Sequence, residues 1–141
     1  GFDPLVFLLE YVDAIEVNST FYRPPSASSA RSWAARAAVH PRRRLTVKLW
    51  RGFSHERRGI TKQDVTLFRK GIEPLLEEGL FGCLLMQFPW SFKNTEENRV
   101  WLNTLFKAFP FLITRFVLFA SYLGRGGPTY EIVEAYPLTR R

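Results

Sequence analysis

A strand-like run followed by a helix-spaced run occurs three times in this chain, and a fourth strand-like run closes the series. Such alternation leaves few architectures: it implies a parallel sheet with right-handed crossovers. The first strand is the clearest. In Ala14-Ile15-Glu16-Val17-Asn18, Ile15 and Val17 point to one face and Glu16 and Asn18 to the other, because strand side chains alternate. A polar loop closed by Pro24-Pro25 follows at once. Polar groups at the end of a strand, just before a loop, are where α/β folds keep their chemistry.

The other elements follow the same logic. Asp3-Pro4 starts a short helix, with Asp at the N-cap and Pro at the first helical position. Ser26 or Ser28 caps a second helix, whose buried stripe is Ala30, Trp33, Ala34, Ala37 and Ala38. His40-Pro41 ends it, and Leu45 to Trp50 reads as the next strand. Residues 51–59 read as a long polar loop. Thr61 with Asp64 resembles a capping box for a third helix striped by Val65, Phe68, Ile72, Leu75 and Leu76. Pro74 should kink that helix and Gly79 should stop it. Phe81 to Phe88 reads as a strand covered on both faces. Asn94 or Thr95 caps a fourth helix striped by Trp101, Leu102, Leu105, Phe106 and Phe109, and Ile113 to Phe119 is the last strand. No Gly-rich phosphate loop follows any strand, which argues against a nucleotide-binding Rossmann sheet.

Composition narrows the class. At 141 residues with 46% hydrophobic content, the chain is long enough and apolar enough for one domain with a real core. A single cysteine, Cys83, allows no intrachain disulfide and points to a reducing compartment. No apolar run approaches the roughly 20 residues of a membrane helix. We therefore expect a soluble, cytoplasmic protein with no membrane partner. The chain begins Gly1-Phe2-Asp3, without an initiator methionine, so a fragment is expected. The net charge of +7 is concentrated: residues 31–58 hold nine Lys or Arg and one acid, Glu56. A cluster like that can attract phosphate or nucleic acid, but the favoured reading is a solvated helix end and loop.

Glu16-Val17-Asn18-Ser19-Thr20-Phe21-Tyr22-Arg23 with Pro25-Ser26 and Trp33 resembles the signature of the YecE-like family of uncharacterised proteins, domain of unknown function 72. Val47-Lys48 with Ser54-His55 resembles its next strand and its usual Thr-His loop, with Ser in place of Thr. Gln87-Phe88-Pro89-Trp90-Ser91-Phe92 resembles its Gln-Leu-Pro-Pro-Ser-Phe element, with Phe and Trp substituted. The match covers about residues 3–115. The resemblance implies an α/β fold, a partial TIM-type (β/α) barrel holding about strands two to five, with parallel strands and covering helices. Intact barrels of this type run to roughly 250 residues. The chain divides accordingly into a partial barrel domain, 1–116, and a divergent tail, 117–141. That tail lacks the family's Glu-x-Arg-His, so a shifted reading frame or a poorly ordered terminus is expected.

In a barrel, Ile15, Val17, Leu45, Val47 and Leu49 would face the helices. Glu16, Asn18, Lys48 and Gln87 would face the axis near the strands' C-terminal ends, with Tyr22, Arg51 and His55 on the loops above. Glu16, Lys48 and His55 are the catalytic candidates. Glu16 and Lys48 could act as an acid/base pair, and Lys48 could bind an anion or form a Schiff base. His55 could serve as a general base or a metal ligand. The competing reading of Glu16 and Lys48 is a buried ion pair that only supports the fold. Asn18, Tyr22, Arg51 and Gln87 would position the substrate. One His and one Glu do not make a metal site, no motif names a cofactor, and Ser54 has no base–acid relay suited to a nucleophile.

Three functions follow as expectations. The first is an enzyme acting on a small polar or phosphorylated substrate, with a small anionic ligand as partner. The second is nucleic-acid or polyanion binding through the Arg31–Arg58 cluster, where Arg51, Arg57 and Arg58 interleave with Trp50 and Phe53. The third is an inactive truncated fragment that self-associates through open sheet edges.

Overall fold

The computed structural model describes residues 1–57, 59–109 and 115–137. They fall into two compact units, Gly1–Phe109 and Pro110–Arg141. In the first, the order is α1 (Pro4–Leu9), β1 (Ala14–Val17), α2 (Ser19–Tyr22), α3 (Ala27–Ala37), β2 (Arg44–Lys48), a π-helical turn (Gly52–Glu56), α4 (Lys62–Glu77), β3 (Phe81–Leu85) and α5 (Glu96–Ala108). The strands lie side by side in the order β1-β2-β3, and both pairings are parallel. This unit is a mixed α/β structure with a three-stranded parallel sheet and covering helices.

Helix ends are set by side chains that satisfy the orphan N–H groups of a first turn. The Asp3 carboxylate accepts from Leu5 and Val6, Ser26 from Ser29, Thr61 from Asp64 and Thr95 from Asn98. Helix α4 runs through Pro74 and stops before Gly79, which adopts a left-handed φ of 64°. Gly71 has a different cause. A Cβ there would collide with the Pro25 carbonyl oxygen, so glycine lets α4 lie directly against the segment entering α3.

The core lies between sheet and helices. Leu45, Val47 and Leu49 alternate into it from β2 and its end, and Ala30, Ala34, Phe68, Ile72 and Leu75 are buried from the helices. Phe53, Phe68 and Phe109 form an edge-on aromatic trio with centroids 5.6 to 6.4 Å apart. The trio fastens the turn after β2 to α4 and to the end of α5. Each such pair contributes about 0.5–1.5 kcal/mol beyond its burial.

The opposite sheet face is open: Glu16, Gly82 and Cys83 are exposed, and Thr46 and Lys48 half-buried. This corrects the expectation that β3 is covered on both faces. On that side the thiol of Cys83 lies 3.5 Å from Thr46 Oγ1. The strands are also shorter than read. β2 ends at Lys48 and β3 at Leu85, so Trp50 and Gln87 lie beyond them. The polar loop after β1 contains α2, and residues 52–56 wind into the π-helical turn because Phe53 has a core to enter.

The second unit is an antiparallel hairpin. β4 (Arg115–Gly124) pairs with β5 (Gly127–Pro137), from Arg115 opposite Pro137 to Gly124 opposite Gly127. The Ile113–Phe119 run was expected in the parallel sheet; its part from Arg115 onward pairs antiparallel instead, and residues 113 and 114 lie outside the described residues. A two-residue connection suffices for antiparallel neighbours, and Gly127 with φ 112° supplies the turn geometry. Residues 117–137 of the stretch read as a divergent tail belong to this hairpin.

Candidate functional site at the strand ends

The register of the parallel pairs determines which polar groups share the open face. Glu16 lies opposite Thr46, and Lys48 opposite Leu85. Lys48, two residues beyond Thr46, therefore points to the same side as Glu16. It is the last residue of β2, and its Nζ sits 4.8 Å from the centroid of the Phe21 ring in α2. The His55 imidazole meets that same ring edge-on, with centroids 5.0 Å apart. Phe21 thus carries a cation and an imidazole on one aromatic surface, where a ring's negative face and positive edge favour such contacts.

Two buried hydroxyls hold this arrangement. Thr20 has its Oγ1 2.7 Å from the Lys48 carbonyl and 2.9 Å from the Val17 carbonyl, tying α2 across to the end of β2. Ser54, fully buried in the π-helical turn, places its Oγ 2.9 Å from His55 Nδ1. His55 is thus a base in direct contact with Ser54, but no carboxylate is bonded to the imidazole among the described residues, so the pair is not a base–acid relay. Burial keeps that hydroxyl from attacking a substrate.

Arg51 stands at the start of the turn and pairs with Glu56 at 2.8 Å. Burial lowers the His55 pKa below its ordinary value, and the charges of Lys48 and Arg51 lower it further. Lys48, Arg51 and His55 are thus electrostatically linked. Tyr22 meets Phe21 edge-on at 5.2 Å while remaining largely exposed. Asn18 occupies the N-cap position of α2 but makes no side-chain capping bond. Glu16 is exposed and forms no ion pair with Lys48 among the described residues, so the two are not a buried structural pair. Gln87, exposed beyond β3, makes no hydrogen bond among the described residues.

Beside His55 a cleft of about 620 Å³ opens between the turn and α5. Arg57 forms one wall. Its backbone is left-handed, with φ 50°, a conformation that costs a non-glycine residue about 1 kcal/mol. Its guanidinium lies over the rings of Trp101 (5.0 Å) and Phe92 (5.6 Å) and donates to Asn98 Oδ1 at 2.8 Å. Trp101 in turn donates to the Phe53 carbonyl at 2.9 Å. Sequence reasoning named Arg57 as a ligand grip but missed this bracing. Phe21 and Thr20 were visible only as part of a motif; nothing in their spacing reveals that one seats Lys48 and His55 and the other ties two elements.

The basic cluster is not one patch. Arg42 to Arg44 stand at the start of β2 and Lys48 and Arg51 at its end, about 15 Å apart at strand rise. Several members face acids: Arg36 pairs with Asp3, Arg43 with Asp13, Arg51 with Glu56 and Arg57 with Glu97. Among the described residues no group of His, Cys, Asp and Glu is arranged to hold a metal, and no helix is long and apolar enough to cross a membrane.

Parallel strands with helices on one side, and polar groups gathered where those strands end, define an α/β protein of the βα-repeat kind. The family described as Protein of unknown function DUF72 matches residues 3–118, and the chain belongs to it. Solved DUF72 family proteins share the fold. One from Enterococcus faecalis V583 is 22% identical, with a TM-score of 0.66 over 75% of this chain and 43% of its own. Another, from Thermotoga maritima MSB8, is 30% identical, with a TM-score of 0.61 over 78% of this chain and 45% of its own. The chain therefore spans less than half the length of these relatives. No protein with a curated description matches it.

Proposed function

We propose that residues 1–116 supply part of a (β/α) barrel whose strand ends bind a small anionic substrate, phosphorylated or carboxylated. Lys48 and Arg51 provide the positive field and His55 a hydrogen-bonding partner, with Glu16 available for proton transfer. Asn18, Tyr22 and Gln87 are placed to line the substrate's approach. The observation that carries this reading is the convergence of Lys48 and His55 on the Phe21 ring, 4.8 and 5.0 Å from its centroid. A cation and an imidazole at one strand end suit an anion better than an apolar ligand. The division of the basic cluster between the two ends of β2 argues against an extended nucleic-acid track.

The chain has only two histidines, so His40 is an internal control. Titrating the ¹⁵N-labelled 141-residue chain with inorganic phosphate should move the His55 ring signals saturably and leave those of His40 in place. Lys48→Gln should weaken the response. Equal, non-saturating shifts at both histidines would refute the site.

A further inference from the structure

We propose that Ser54 is a positioning residue that fixes His55 in the tautomer with its hydrogen on Nε2, so that the imidazole acts as a neutral N–H donor. The argument begins with the one hydrogen that the Ser54 hydroxyl owns. The hydroxyl is fully buried, and a buried donor needs an acceptor. Two are in reach: His55 Nδ1 at 2.9 Å and the Trp50 carbonyl at 3.5 Å. The Trp50 oxygen already accepts from the N–H groups of Phe53 at 3.0 Å and Ser54 at 3.3 Å. Both of its lone pairs are thus engaged, and 3.5 Å is at the limit for an O–H donor. The hydroxyl hydrogen therefore goes to Nδ1. A neutral imidazole that accepts at Nδ1 must carry its own hydrogen on Nε2.

The surroundings support a neutral ring. Lys48 from β2 and Arg51 from the turn oppose a further positive charge, and Arg57 stands on the same cleft. The carboxylates there are already engaged: Glu56 by Arg51, Glu97 by Arg57 and Glu96 by Arg99. Protonating Nδ1 would reverse the short bond, with Nδ1–H donating to the Ser54 oxygen, and would leave the hydroxyl hydrogen only the 3.5 Å contact to the Trp50 carbonyl.

The consequence rests on the anion-site reading. Lys48, Arg51 and the His55 Nε2–H would all be donors toward a bound anion, and none would accept a proton. His55 would then be an electrophilic partner and not the general base suggested by its residue type, leaving Glu16 as the proton acceptor.

Long-range ¹H–¹⁵N spectra of the labelled chain at mildly alkaline pH test the assignment directly. The expected result is a single tautomer at His55, with a bare-nitrogen signal at Nδ1 and a protonated one at Nε2. Ser54→Ala should shift His55 toward the averaged tautomer pattern of a free imidazole, and Ser54→Thr, which keeps the hydroxyl, should restore the wild-type pattern. A protonated Nδ1 in the wild type, or unchanged His55 signals in Ser54→Ala, overturns the proposal. If Ser54→Ala does not fold, the wild-type and Ser54→Thr spectra still decide. Failure of phosphate to move His55 would defeat the anion site while leaving the tautomer assignment standing; a protonated Nδ1 would defeat the role of Ser54 whether or not phosphate binds.

Discussion

The Thr20 hydroxyl lies 2.7 Å from the carbonyl oxygen of Lys48, a bond between residues 28 positions apart that locks the turn after one strand to the end of the next. Thr20→Val keeps the shape and removes the hydrogen. It should destabilise the fold by about 1–3 kcal/mol, the cost of stranding a buried acceptor, and should weaken the phosphate response of His55. Thr20→Ser should retain most of both. Urea unfolding and the histidine titration measure the two effects; a Thr20→Val protein as stable as wild type would show that the bond contributes nothing.

Lys48 should govern how His55 titrates. The imidazole is held below its ordinary pKa first by burial, then by Lys48 and Arg51. The unfolded chain therefore binds the proton more readily, and stability rises with pH between the lowered folded value and the ordinary histidine value. Below that window the penalty is complete; above it the penalty is absent. Lys48→Gln should raise the His55 midpoint and shrink the acid penalty, and should weaken phosphate binding about five-fold, roughly 1 kcal/mol for a part-exposed charge. An NMR pH titration that finds the His55 midpoint unmoved would sever the link.

Two effects of opposite sign meet at Gly71. Helix propensity predicts that Gly71→Ala stabilises α4 by up to about 1 kcal/mol. The added methyl, however, would strike the Pro25 backbone carbonyl, which cannot rotate away as a side chain could. Overpacking of that kind costs about 1–3 kcal/mol, so net destabilisation is expected. A higher melting temperature for Gly71→Ala would mean that the two segments are free to separate.

The bracing of the cleft wall can be tested at Arg57. Arg57→Ala keeps the left-handed backbone strain and loses the contacts to Trp101, Phe92 and Asn98. Arg57→Gly loses the same contacts and relieves the strain. Both should be less stable than wild type, by about 1–2 kcal/mol for the desolvated cation–π and hydrogen-bond contacts, with Arg57→Gly the milder by up to about 1 kcal/mol. The reverse order in a denaturant series would remove backbone strain from the account.

How much of this was legible in the sequence follows from which interactions are local. Caps and stops are written in neighbouring residues, so Asp3, Thr61 and Gly79 could be read before any fold was known, while Ser26 and Thr95 were each one of two candidates that the structure decides. The β1 and β2 alternation was equally plain, because burial on one face imposes a period of two. What escaped depends on distant partners. The π-helical turn exists because Phe53 finds Phe68 and Phe109, and no spacing within residues 51–59 announces that. The span of β3 was overread because an apolar run looks the same whether one face is covered or two. The last strand was placed with its predecessors because rhythm cannot distinguish a crossover from a hairpin. Of the site, Lys48 and His55 are brought together as their positions suggested, whereas the ring that joins them went unnoticed.

The Cys83 thiol projects from the open side of the sheet, one strand away from the row that ends in Lys48. Because the chain contains no other cysteine, a maleimide dye or nitroxide would attach at one defined place without prior mutagenesis. Such a reporter would sense quenching or broadening when a ligand or a second polypeptide settled over that surface, giving the uncovered side of the sheet a readout of its own.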